Sequence, residues 1–198
     1  MRVSVIDLGI GNVLSVASWI KRCGFEANLI QDENWRSNTK SIIVLPGVGN
    51  SVSYMRALQN RPALYNAIQN GNYSQLVGIC AGFQVLSSSV SEEGKTEQGL
   101  GKIEAHSKPI GQNTFHNGWE TLTSSHFTVI EKRLNIRRKV YFNHGCGVYT
   151  TPSYNGLDDT NKLGFSNFII EDNIIGLQFH PEKSGVFGEI IGRSILGV

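Results

Sequence analysis

The sequence predicts an α/β fold: an open sheet, mostly parallel and covered by helices, with an additional antiparallel portion. Three observations carry this. Short apolar runs alternate with stretches of helical periodicity along the first half of the chain, the pattern of a parallel sheet buried on both faces. An apolar strand, Gln75-Leu-Val-Gly-Ile79, turns sharply through Gly78-Ile-Cys80-Ala-Gly82 into an apolar segment with helical character. Beyond about residue 100 the character changes to closely spaced strands, ending in two apolar runs separated by a short polar turn.

Taken in order, Val3 to Leu8 is a short apolar run broken by Gly9 and Gly11. Val13, Leu14, Val16, Ala17 and Ile20 then recur at helical spacing until Cys23-Gly24 closes the helix. Phe25 to Ile30 reads as a second strand, and Ser41 to Leu45 as a third ending at Pro46-Gly-Val-Gly49. Residues 51–70 read as helix interrupted at Pro62. The turn at Cys80 leads into an expected amphipathic helix. After it come expected strands at Gly101–Ala105, Gly118–Leu122, Phe127–Ile130 and Val140–Asn143. Gly164–Ile170 and Ile174–Phe179 read as a β-hairpin joined by Glu171-Asp172-Asn173, and a helix from about Val186 to Leu196 closes the chain.

A chain of 198 residues suits one domain, expected to span 1–198, and is long enough to bury a sizeable core. The net charge of +2 argues against a nucleic-acid partner. The basic run Lys132-Arg133 with Arg137-Arg138-Lys139 reads as a solvated surface segment. No apolar run approaches membrane-spanning length, so no membrane association is expected. Three cysteines, Cys23, Cys80 and Cys146, show no C-x-x-C spacing. The N-terminus runs straight into a strand with no signal peptide, and the expectation is a reducing, cytoplasmic setting.

Cys80 stands at a nucleophile elbow. A residue at the tip of a strand-to-helix turn is held away from its own backbone, at a helix N-terminus that favours a thiolate. Gly78 and Gly82 leave space where a Cβ would crowd the turn. One hundred residues later, Phe179-His180-Pro-Glu182-Lys-Ser184 supplies a general base and a carboxylate to orient it, a Cys-His-Glu triad. Pro46-Gly-Val48-Gly49 suits an oxyanion hole in which the Val48 N–H acts with that of Ala81. Cys23 and Cys146 read as structural thiols. His106, His116 and His126 lack a neighbouring carboxylate of the His180 kind and read as surface or structural residues, with His144 intermediate. Gly9-Ile-Gly11 is too incomplete to indicate nucleotide binding. Asp7-Leu-Gly-Ile-Gly-Asn12, Pro46-Gly-Val-Gly49, Cys80 and His180 all fall at expected carboxyl ends of strands, where open α/β sheets bind ligands.

Gly78-Ile-Cys80-Ala-Gly-Phe-Gln84 together with Phe179-His180-Pro-Glu182-Lys-Ser184 resembles the signatures of class I (triad) glutamine amidotransferases. The Asp7–Asn12, Pro46–Gly49 and His116-Asn-Gly-Trp119-Glu120 segments further resemble the glutaminase subunits of imidazole glycerol phosphate synthase. The resemblance implies a flavodoxin-like amidotransferase fold without a cofactor or metal. It also implies hydrolysis of L-glutamine to glutamate and ammonia, with Cys80 as nucleophile, His180 as proton carrier and Glu182 as its orienting partner. Val48 and Ala81 would form the oxyanion hole, and Gly49, Gly82, Gln84, Glu92, His144 and Gly145 would contact glutamine, with Glu92 further along the helix that carries Gln84. Asn12, Trp119, Tyr141 and Lys183 would face a (β/α)8 synthase subunit, with which the chain forms a heterodimer in histidine biosynthesis. Where that pattern runs Cys-Leu-Gly-Met-Gln, this chain has Ala81 and Phe83; where it runs Met-Gly-Trp-Asn, Asn117 and Glu120; where it runs His-Ser-Tyr, His144-Gly145-Cys146. Three other readings fit the same residues: a diverged paralogue supplying ammonia to another acceptor, such as a surface-sugar amidation enzyme; a non-catalytic regulatory or scaffold subunit; and a thiol hydrolase or peptidase on the same fold.

Overall fold

The computed structural model describes residues 2–31, 35–47, 49–112, 114–122 and 138–197. The chain opens with β1 (Arg2–Ile6), α1 (Val13–Arg22), β2 (Glu26–Ile30), β3 (Ile42–Leu45), α2 (Ser51–Gln59), α3 (Pro62–Gln69) and β4 (Gln75–Ile79). The strand and helix alternation read from the sequence is present throughout this half. Pro62 ends the expected long helix and opens the next, because its ring fits the first turn but not a helix interior.

The second half carries α4 (Ala81–Gln84), β5 (Ser87–Glu92), β6 (Lys95–Gln98), β7 (Ile103–Pro109), β8 (His116–Thr121), β9 (Lys139–His144), β10 (Cys146–Thr150), β11 (Leu157–Thr160), β12 (Ser166–Glu171), β13 (Ile174–Leu177) and α5 (Gly185–Leu196). Here one expectation is corrected. The amphipathic helix after Cys80 is a single buried turn, followed by a strand. Serines at 87–89 and the β-branched Val90 favour extended backbone. Glu93 and Gly94, with φ of 52° and 71°, then close a two-residue hairpin onto β6. The strand expected at Phe127–Ile130 and most of the basic run lie outside the described residues. The hairpin β12–β13 is as expected, with Asp172-Asn173 as its loop.

The main sheet has the order β11-β12-β13-β4-β3-β1-β2, in which β13, β4, β3, β1 and β2 are parallel and β12 runs antiparallel to both β13 and β11. A four-stranded sheet, β10-β7-β5-β6, and a ribbon, β8-β9, complete it. Side chains alternate across the main sheet as the pleat requires. Ile43, Leu45 and Leu76 pack into the layer containing α2, α3 and the four-stranded sheet, while Ile42, Val44 and Val77 pack under α1, α5 and the β8-β9 ribbon. The adjacent parallel strands β13, β4, β3 and β1 therefore deliver His180, Cys80, Pro46 and Asp7 to one edge of the sheet.

Candidate active site

Cys80 has φ 50° and ψ −108°, a backbone conformation that L-residues adopt only when their surroundings impose it. Those surroundings are glycines. A Cβ on Gly78 would meet the Gly82 carbonyl oxygen at 2.5 Å, and one on Gly82 would run into the Leu45 carbonyl of β3. Phe83 lies over Gly176 of β13 so closely that a Cβ there would overlap its ring. The turn is thus pressed flat onto the sheet at both neighbours of β4. Gly47 matters for the same reason: a Cβ there would strike the Ile79 carbonyl and the Ala81 nitrogen, so the loop after β3 rests directly on the elbow. The Ala81 N–H opens the turn, where no intrahelical acceptor exists for it. Val48, the other expected oxyanion donor, lies outside the described residues.

His180 and Glu182 are buried, and His180 Nδ1 lies 2.8 Å from Glu182 Oε1 across a 3-10 turn, Pro181–Lys183. The carboxylate only accepts, so Nδ1 carries the proton and Nε2 is left for Cys80. No hydrogen bond occupies Nε2 among the described residues. Burial works against charge on His180, but Cys80 and Glu182 outweigh it and raise its pKa to about 10. The backbone around it is closed by hydrogen bonds: His180 N–H donates to the Tyr141 carbonyl at 2.8 Å, Ser184 Oγ donates to the His180 carbonyl at 2.6 Å, and Tyr141 N–H donates to Ser184 Oγ at 3.1 Å. Cys80 Sγ has weaker neighbours at 3.9 Å, the Asn143 carbonyl and the Gln178 amide. Burial pushes the other two thiols up, Cys23 to about 11 and Cys146 to about 12, which disfavours a thiolate at either.

Cys80 opens into a cavity of about 290 Å³, of the size that takes an amino acid. Of the residues expected to contact substrate, Gly49, Gln84, Glu92, His144 and Gly145 all line it. Gly82 does not; it is spent on the close approach to Leu45. Glu92 arrives from β5 rather than from a helix, and its carboxylate accepts from the N–H and the hydroxyl of Ser51 at the start of α2, at 2.7 and 2.9 Å. Gln84 donates to the Cys146 carbonyl at 2.8 Å.

Trp119, Tyr141 and Lys183 come together on the exposed side of the ribbon. The Trp119 and Tyr141 rings meet edge to face with centroids 5.8 Å apart, and Lys183 Nζ stands 5.6 Å from the centre of the Tyr141 ring. The Tyr141 hydroxyl donates to Asn117 Oδ1 at 2.9 Å. Asn12 stands at the start of α1, at the far end of the loop that follows β1.

Sequence reasoning missed the part of the wall made by Asn50, Glu93, Phe115, Asn143 and Cys146. It also set His116 aside. His116 pairs with His144 across the ribbon and has a carboxylate at Glu120, four residues on along the same strand and therefore on the same face. That spacing was the available signal. The β8-β9 register that brings His144 to it was not readable from one sequence.

A family model described as glutamine amidotransferase class-I matches residues 4–189. Among curated proteins, an imidazole glycerol phosphate synthase HisH 2 chain from Methanococcus maripaludis is 35% identical over 94% of this chain and 94% of its own length. A HisH chain of the same synthase from Saccharolobus solfataricus is 29% identical over 100% of this chain and 98% of its own. Among solved structures, a glutamine amidotransferase superposes with a TM-score of 0.68 at 15% identity over 99% of both chains. A structure of PurLQS from Thermotoga maritima superposes with a TM-score of 0.63 at 17% identity, covering 99% of this chain and 97% of that one.

Proposed function

The chain belongs to the class-I glutamine amidotransferase family, and from that premise we propose that it is the glutaminase subunit of an imidazole glycerol phosphate synthase, using Cys80, His180 and Glu182 as its triad. The observation that carries the reading is the strained Cys80 at the wall of an amino-acid-sized cavity, within electrostatic reach of a buried histidine whose Nδ1 is held by Glu182. The full-length HisH relatives support this choice within the family.

In this mechanism Cys80 attacks the side-chain amide carbon of L-glutamine as the thiolate. The oxyanion that forms is held by the N–H of Ala81, with Val48 as the second donor. His180, held as the imidazolium by its raised pKa, passes its Nε2 proton to the departing nitrogen, and the C–N bond breaks. Ammonia leaves a γ-glutamyl thioester on Cys80. Water then attacks the thioester while His180 Nε2 takes its proton, and glutamate departs as the thiolate is restored. Ammonia released into neutral water becomes ammonium, which is not a nucleophile, so the product is passed directly to a (β/α)8 synthase subunit that builds the imidazole ring. The surface formed by Trp119, Tyr141 and Lys183, with Asn12, receives that partner, and residues 1–198 act as a single amidotransferase domain.

The test is glutamine hydrolysis by the chain alone, then with a (β/α)8 cyclase partner loaded with its nucleotide ligand. The reading expects low activity alone and strong acceleration in the loaded complex. A second reading, delivery of ammonia to a different acceptor, is favoured by the altered ribbon, where Asn117 fastens the Tyr141 hydroxyl and Glu120 binds His116. It expects hydrolysis that the cyclase partner does not accelerate. Absence of hydrolysis in every arrangement would support a non-catalytic role.

A further inference from the structure

A continuous chain of hydrogen bonds runs from the Cys80 cavity along the core-facing side of the β8-β9 ribbon to Glu120 at its solvent-exposed edge. At its inner end the Cys146 carbonyl accepts from Gln84 Nε2 at 2.8 Å and from His144 Nδ1 at 2.7 Å. A carbonyl has no proton to give, so His144 carries its proton on Nδ1. Burial pushes the His144 pKa down to about 3, so the ring is neutral and its Nε2 is an acceptor. That acceptor meets His116 Nδ1 at 2.9 Å, which must therefore donate. The remaining nitrogen, His116 Nε2, lies 2.8 Å from Glu120 Oε1. The directions are consistent when His116 carries a proton on both ring nitrogens, Nδ1–H donating to His144 and Nε2–H to the Glu120 carboxylate. Read outward the links are Gln84, Cys146 carbonyl, His144, His116 and Glu120.

The rings along this path have little freedom. His116 lies 4.5 Å from the Phe142 ring centre and 5.6 Å from that of Phe165, and His144 meets Phe165 edge-on at 5.0 Å. Gln84, His144 and Cys146 all line the cavity, whereas Glu120 is mostly exposed. We propose that His116 and Glu120 are positioning residues for the glutamine pocket: by fixing the ring of His144 they hold the Cys146 carbonyl, and through it the Gln84 side chain, where substrate meets them. This rests on the reading of the cavity as a glutamine site. Glu120 is one of the positions at which the chain departs from the pattern it resembles. Here an ionisable group, absent from that pattern, is wired to the pocket wall.

The test compares two electrophiles at Cys80 in the full chain, with modification followed by mass spectrometry. One is 6-diazo-5-oxo-L-norleucine, which must bind as glutamine does; the other is methyl methanethiosulfonate, which needs no such site. Glu120→Ala and His116→Phe are expected to raise the half-saturating concentration of the diazoketone about tenfold, the loss of roughly one positioned hydrogen bond, while the thiosulfonate rate stays as in the wild type. Glu120→Gln, which keeps the length and an acceptor oxygen, is expected to stay within about twofold of the wild type. Unchanged half-saturation in Glu120→Ala would overturn the proposal, whatever the folding of His116→Phe. So would an equal slowing of both reagents, which would indicate a general disturbance of the elbow. If the wild type itself shows no saturable reaction with the diazoketone, the glutamine reading fails first, and the proposal falls with it.

Discussion

His180 Nδ1 and Glu182 Oε1 meet at 2.8 Å from either side of Pro181, inside a 3-10 turn buried beneath α1 and α5. Two residues apart, they form the shortest possible version of a base and its orienting acid, and Pro181 fixes the bend between them. If they act as one unit with Cys80, His180→Ala is expected to lower glutamine turnover nearly as far as Cys80→Ala. Glu182→Gln, which keeps the shape but favours the wrong tautomer, is expected to leave more activity, a loss of about 10²–10⁴. Steady-state ammonia release in the complex with a synthase partner checks both.

The backbone at Cys80 makes an independent prediction. In the interior of a helix or strand alanine is more stable than glycine by about 0.5–1 kcal/mol. At φ 50° the order is expected to reverse, with Cys80→Gly more stable than Cys80→Ala by about 1 kcal/mol and both inactive. Urea unfolding of the two variants decides it. The usual order would mean that the elbow relaxes once the thiol is gone.

Gly47→Ala is expected to lower both stability and turnover, because the new methyl group displaces the Ala81 N–H and the Ile79 carbonyl of the elbow. Misplacing one oxyanion donor costs about 10²–10³ in turnover. A variant with normal turnover would show that the loop after β3 yields without moving the elbow.

Two histidines give stability a pH dependence of opposite sign. His180 is raised from 6.5 to about 10, so the folded state holds its proton more tightly; that contribution is fully present below about pH 6.5 and is lost as pH rises through 10. His144 is lowered from 6.5 to about 3. Its proton is refused by the folded state and taken by the unfolded one, so stability is present above about pH 6.5 and is lost as pH falls toward 3. Each limb carries at most about 1.4 kcal/mol per pH unit. Denaturant unfolding across pH 4–10 is expected to flatten on the alkaline side in His180→Ala and on the acid side in His144→Phe. Unaltered limbs in these variants would refute the assignment.

Lys183→Ala is expected to weaken binding of a synthase partner by about 10–100-fold, if the ammonium pairs with a carboxylate that becomes desolvated in the complex. Modification of Cys80 by the diazoketone should be untouched. Titration calorimetry and the alkylation assay separate the two effects.

The edge of the sheet that gathers Cys80, His180 and Pro46 was legible because its signals are local. Gly78, Gly82 and Gly47 stand where a Cβ cannot, His180 and Glu182 are two residues apart, and four strands end in the motifs that meet there. The second half was less legible for an equally physical reason. The β5-β6 hairpin turns on Glu93-Gly94, and glutamate at a positive φ carries none of the usual signal of asparagine or aspartate. Gln84, Glu92 and His144 reach one cavity from three different elements, and only tertiary register brings them together. Glu92 illustrates the cost: it lines the Cys80 cavity, but from a strand and not from the expected helix.

Tyr141 has a divided allegiance. Its main chain is bonded to the loop that carries His180, accepting from His180 and donating to Ser184, while its side chain belongs to the outer face with Trp119 and Lys183. Any amino acid with an N–H and a carbonyl can perform the first duty, whatever it offers for the second. The outward surface is therefore free to drift in evolution, acquiring a new protein neighbour by ordinary side-chain replacement, with the reactive chemistry behind it inherited unaltered.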